Sequence, residues 1–135
     1  MPRIGDYISV YIRAQVAERA EFKCEYCLAP DSQGYSFYKH QVDHVRSLKH
    51  RGTSAMDNLA YACFACNINK GPDVGSIHDE TGKFVGFYNP RTDTWSEHFR
   101  LNLHWIESLT EVGWVTAVVL QFNTPERVAS RQSNL

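Results

Sequence analysis

Apolar positions recur at three- and four-residue intervals near the start of the chain. Ile8, Ile12, Val16 and Ala20 fall on one face with Tyr11 and Ala17, while Arg13, Gln15, Glu18 and Arg19 take the others. That period predicts a helix over 8–21. Asp31-Ser-Gln-Gly34 is a turn signal. From Tyr35 to Val45 the pattern changes to an aromatic-rich run carrying Val42 and Val45, which predicts a strand. Residues 47–57 are polar and hold Gly52, so they read as a loop or as the far side of a hairpin. Asn58 to Ala62 can form a short returning segment, and Cys63 to Asn69 the start of a helix that Gly71-Pro72 stops. Residues 71–79 are loop-like. Two strands are predicted over 83–88 and 94–103 around the turn Asn89-Pro-Arg-Thr-Asp93, forming a hairpin led by Thr81-Gly82. Trp105, Ile106 and Leu109 continue the apolar character. Thr110 is a good N-cap for a helix over 111–122, whose Val112, Val115, Val118, Val119 and Phe122 make an apolar stripe. Thr124-Pro125-Glu126 opens a last, short and polar helix reaching about Ser133.

Composition bounds the class. A chain of 135 residues and 15.5 kDa suits one domain, 1–135, large enough to bury a core without cross-links. Net charge is -1 and the pI near 6.6, so global charge announces no nucleic-acid partner and any basic surface must be local. No apolar run approaches the ~20 residues that span a bilayer. Met1-Pro-Arg-Ile-Gly-Asp lacks the apolar core of a signal peptide. The expectation is a cytoplasmic protein, without a membrane partner, whose thiols stay reduced.

All four cysteines form two pairs, Cys24-Glu-Tyr-Cys27 and Cys63-Phe-Ala-Cys66. Each C-x-x-C turn presents two sulfurs to one ion, and two turns complete a tetrahedral shell. Four thiolates leave no open position, so zinc here would be structural, clipping the first helix region to the second. A redox dithiol is the rival reading, but that chemistry usually uses one pair at a helix start in a βαβ setting.

Cys24-x-x-Cys27, Asp43-His44-Val, Gly52, Asn58-Leu59, Cys63-x-x-Cys66-Asn67 and Lys70-Gly71 together resemble the HNH endonuclease family, in its four-cysteine, zinc-stapled branch. The resemblance implies an α+β protein with a small ββα-metal (His-Me finger) core over about 22–71. An N-terminal helix would precede that core, and a C-terminal β-hairpin with helices would follow over about 81–135. The segment from Asn89 to Phe99 is similar to a tail seen in some bacterial members and carries no role that can be named from the sequence.

The residue types support the same chemistry. Phosphodiester hydrolysis needs an activated water, a cation at the phosphate and stabilisation of the leaving oxygen. A histidine, with an ordinary pKa near 6.5, can take a proton from water at neutral pH, and His44 suits that role. Asp43 offers carboxylate oxygen to a hard cation such as Mg²⁺ or Mn²⁺. The resemblance implies that Asn67 is a second ligand of that cation and that Asn58 holds the loop and so orients His44. Neighbours on a regular strand face opposite ways, so Asp43 and His44 share one site only if the strand end bends, as the resemblance implies.

Lys39, His40, Arg46, Lys49, His50 and Arg51 surround the Asp-His pair with no acidic residue but Asp43 between 39 and 51. Arg46, Lys49 and Arg51 are candidate phosphate contacts, and Lys70, one helical turn after Asn67, could reach the same region. Tyr35, Phe37 and Tyr38 read as strand core, as do Trp95, Trp105 and Trp114 for the C-terminal part. His78, His98 and His104 lack metal spacing. The reading is a metal-dependent endonuclease acting on DNA, with no base-specific readout from its core. One core cuts one strand, so double-strand cleavage would need a homodimer or two events; the apolar C-terminal helix is the best candidate interface, though it could equally cover its own hairpin. The alternative is a non-catalytic zinc-stapled module that binds nucleic acid or protein.

Overall fold

Three short antiparallel hairpins and five helices make up a mixed α/β domain in a computed structural model that describes residues 7–31 and 39–133. Tyr35, Phe37 and Tyr38 lie outside the described residues. Helix α1 is Val10–Arg19, opened by Ser9, whose Oγ accepts from the Ile12 N–H at 3.1 Å. It is shorter than the apolar period suggests because Glu21 and Phe22 enter the left-handed region and turn the chain toward Cys24. Val16 on its inner face is fully buried against Leu59 and Ile8.

Strands β1 (Gln41–His44) and β2 (Leu59–Ala62) pair antiparallel, Asp43 opposite Ala60 and His44 opposite Leu59. Alternation sorts their side chains. Ala60 and Ala62 face the main core with the cysteines, whereas Val42, Leu59 and Tyr61 face α1. Helix α2 (Phe64–Lys70) follows β2 immediately, with Cys63 as its N-cap. The segment between the strands is not a plain loop. It makes two 3-10 turns, Leu48–His50 and Met56–Asn58.

The C-terminal pairing differs from the expected hairpin. Residues 75–77 form strand β3 (Gly75–Ile77), which pairs backward with β4 (Phe84–Gly86). The stretch 94–103 splits into a helical turn, α3 (Trp95–His98), and strand β5 (Phe99–Asn102), which pairs with β6 (Trp105–Ser108). Asn89 and Asp93 explain the split. The Asp93 N–H donates to Asn89 O at 2.8 Å and the Asn89 N–H to Asp93 Oδ2 at 2.9 Å. This self-bonded turn closes on itself and does not join two strands.

Helices α4 (Glu111–Val119) and α5 (Pro125–Gln132) carry the expected caps. Thr110 Oγ1 accepts from the Gly113 N–H and Thr124 Oγ1 from the Arg127 N–H. Helix α4 lies against the β3–β4 hairpin and β6, so it covers its own hairpins, with Val118 left 51% exposed. Nothing among the described residues supports a dimer interface. Phe99, Ile106, Val115, Leu120 and Phe122 close the core around Tyr26 and the cysteines. Each such side chain contributes roughly 1.5–3 kcal/mol when fully withdrawn from water. Trp105 departs from the core reading, being 51% exposed.

Thr116 ties this unit together. Its hydroxyl donates to Val112 O at 2.7 Å and accepts from the buried Tyr88 N–H at 2.8 Å. Thr116→Val keeps the shape but orphans that N–H, and should cost about 1–3 kcal/mol, read as a lower urea midpoint at unchanged m-value.

Candidate metal centre and candidate active site

Tight backbone turns aim the four sulfurs. In the first knuckle the Cys27 N–H donates to Cys24 Sγ at 3.4 Å, and in the second the Cys66 N–H donates to Cys63 Sγ at 3.4 Å. All four sulfurs lie within 4.8 Å of one another, and Cys27 and Cys63 approach to 3.6 Å across the knuckles. A tetrahedral zinc site with bonds near 2.3 Å sets its sulfurs about 3.8 Å apart. The four cysteines are thus positioned to bind a structural metal such as zinc. Without one the cluster is chemically uneven. Burial pushes the Cys24 and Cys66 thiols up, while the hydrogen bond with Cys24 draws Cys27 and Cys63 down. A dication lets all four be thiolates together.

Asp43 and His44 part company at β1. The register stays regular through His44, and the chain bends directly after it, at Val45 and Arg46. Asp43 points inward and is 5% exposed. Its Oδ2 accepts from the Tyr26 hydroxyl at 2.7 Å. The Lys70 ammonium lies 3.3 Å from Oδ1, 3.2 Å from Oδ2 and 3.0 Å from the His44 carbonyl. Burial still raises the Asp43 carboxyl above its ordinary value, with Lys70 and Tyr26 pulling it back in part. Lys70 is itself 1% exposed. It therefore does not join the surface cations that could touch phosphate, because α2 turns it onto the β1–β2 hairpin.

His44 points the other way and stays half-buried. Its Nε2 lies 2.9 Å from Ser54 Oγ on the interstrand segment. That segment is held by Asn58. Its Oδ1 accepts from the Arg46 N–H at 2.9 Å, and its Nδ2 donates to Arg46 O at 2.9 Å and Thr53 O at 2.7 Å. Gly52 makes the arrangement sterically possible, since a Cβ there would sit 1.7 Å from Arg46 O and 2.9 Å from Asn58 Nδ2. Arg46, Lys49 and Arg51 all stand exposed on this segment. Arg46, His50 and Arg51 border a cavity of about 350 Å³ whose far wall is Phe87, Tyr88 and Asn89.

Asn67 is half-buried on α2. An amide oxygen and a carboxylate are the right donors for a hard cation. Asp43 faces inward, its oxygens engaged by the Tyr26 hydroxyl and the Lys70 ammonium. His40 bonds the Ala29 carbonyl, the His78 ring lies tilted against Trp114 at 4.7 Å and His98 pairs with Thr110 at 2.7 Å.

Ser54 and Tyr26 were not among the candidates. Tyr26 stands inside the first C-x-x-C pair, and that position was the one available hint. The tail segment also acquires a role. Arg91 pairs with Glu25, the Trp95 indole N–H donates to Tyr26 O at 2.8 Å, and Glu25 in turn accepts from the Tyr61 N–H at 2.8 Å. Residues 89–95 therefore clamp the first knuckle to β2 and the C-terminal unit.

The model of the family described as HNH endonuclease matches residues 24–73, and the four cysteines in that stretch are positioned to bind a metal, consistent with its zinc-stapled branch. Comparison with curated proteins and with solved structures returned no match. Among the described residues no helix is long and apolar enough to cross a membrane.

Two substitutions check the inner and outer halves of the site. Lys70→Met strands the Asp43 carboxylate and should cost on the order of 3–5 kcal/mol, with Asp43→Asn in the same chain recovering part of it. Denaturant midpoints of the single and double variants decide this. Gly52→Ala forces Arg46 and Asn58 apart and should cost about 1–3 kcal/mol or more, seen as faster amide exchange over residues 46–58.

Proposed function

We propose that this protein is an endonuclease that hydrolyses phosphodiester bonds in DNA. The observation that carries the reading is His44 at the end of β1, braced by Ser54 of the following segment, which Asn58 ties to Arg46 and Thr53 and which presents Arg46, Lys49 and Arg51. The β1–β2–α2 order around the cysteines is the one a ββα-metal core uses. In this reading the arginines and lysine hold the backbone phosphates, which fixes register without reading bases. Ser54 keeps the His44 ring in one orientation, and His44 takes a proton from the attacking water. Asn58 acts through the loop, as a positioning residue. Asp43 and Asn67 are the donors proposed for Mg²⁺ or Mn²⁺, and Asp43 serves only if the Lys70 ammonium yields its place. When bound, such a cation supplies Lewis-acid stabilisation of the phosphate.

Plasmid nicking with Mg²⁺ or Mn²⁺ tests the proposal. His44→Ala should lower the nicking rate by roughly 10²–10⁴-fold with zinc content and melting unchanged. A folded, zinc-loaded wild type that retains DNA without nicking it would support the binding-module reading instead.

A further inference from the structure

The cysteine cluster has a partner that lies outside residues 24–73. Arg127, on α5, donates through Nη2 to Cys66 Sγ at 3.0 Å and to Cys63 Sγ at 3.6 Å. Its Nη1 donates to Leu120 O at 2.6 Å and Gln121 O at 2.8 Å, the carbonyls left open where α4 ends. The Phe122 ring lies beneath the guanidinium, 5.8 Å from its carbon. One planar group thus spans the second knuckle and the end of α4 in a forked geometry that lysine cannot reproduce. Arg131, one turn on, bonds Phe122 O, His104 O and Asn123 Oδ1 and lines the same face of the cluster.

We infer that Arg127 is part of the metal centre, a charge-neutralising donor to the thiolates of the second knuckle, so that metal retention and the docking of α5 depend on each other. Four thiolates around a dication leave a surplus of two negative charges. A buried surplus of that kind is stable only when it is paired or hydrogen-bonded. The knuckle N–H groups supply neutral donors, and Arg127 supplies a full positive charge with directed N–H bonds. Groups beyond a metal's own ligands commonly tune its affinity 10–100-fold. Linkage then works in both directions. Losing the charge weakens the metal, and losing the metal removes what holds Arg127 and the first turn of α5. This inference does not depend on the nuclease reading, because every readout below is of metal or structure.

Zinc transfer to a chromophoric chelator should be about 10–100-fold faster for Arg127→Met than for wild type, with Arg127→Lys in between. Chelating wild type should raise amide exchange over residues 120–133 before the β5–β6 hairpin is exposed. The melting temperature of Arg127→Met should fall more in the zinc-loaded protein than in the chelated one, since a packing role would lower both equally. Equal zinc release by wild type and Arg127→Met, or unchanged exchange over 120–133 after chelation, overturns the inference. Should Arg127→Met fail to fold, Arg127→Lys and the wild-type exchange experiment decide alone: a Lys variant releasing zinc at the wild-type rate, or α5 undisturbed by chelation, refutes it.

Discussion

Four sulfurs brought to one point are the constraint on which the rest depends. They draw together two knuckles separated by the β1–β2 hairpin and its long interstrand segment, and so close a loop whose ordering would otherwise fall to a small core. The elements that matter for function are short: β1 and β2 have four residues each and α2 has seven. Elements of that length are marginal alone and owe their placement to what they pack on. The first knuckle hands Tyr26 to Asp43, the second starts α2, and α2 delivers Lys70 to the same carboxylate.

The Asp43–Lys70 pair gives the site two sides with different physics. Inside, a carboxylate, an ammonium and a phenol satisfy one another out of water, where a lone charge would be far costlier than the pair. Outside, His44 and the arginines of the interstrand segment remain within reach of solvent. The regular alternation of β1 creates this division, and Lys70 bridges it by also donating to the His44 carbonyl. Chemistry assigned to the inner side must compete with an interaction that already holds the hairpin to the helix. On the outer side Lys49 and Arg51 stand exposed, and Arg46, also exposed, donates its Nε–H to the His50 carbonyl at 2.7 Å.

The C-terminal unit is more than packaging. It reaches the HNH stretch through Arg91 and Trp95 at the first knuckle and through Arg127 at the second. These contacts grip the knuckles from opposite ends of the extension, so the metal centre is shared by the whole described chain and not confined to the domain that supplies its ligands.

Much of this was legible in the residues because it is local. The C-x-x-C turns, the caps at Thr110 and Thr124 and the stop at Gly71 depend on a few neighbouring residues, and each stands where its pattern places it. Asn58 could be singled out, though its three hydrogen bonds to Arg46 and Thr53 could not. What the pattern misjudged is non-local. The strand at Phe84–Gly86 chooses β3 over β5, because the Asn89–Asp93 turn bonds to itself and Trp95 is taken by the Tyr26 carbonyl. Lys70 reads from the sequence as a candidate phosphate contact and Arg127 draws no reading, since a sequence does not show burial. The spacing of cysteines, caps and apolar positions determined α1, α2, α4 and α5, the β1–β2 pair and the gathering of four cysteines into one cluster. The tertiary structure alone decided that Asp43 faces inward and His44 outward, because a strand's period of two assigns faces only once α2 has chosen which face to cover.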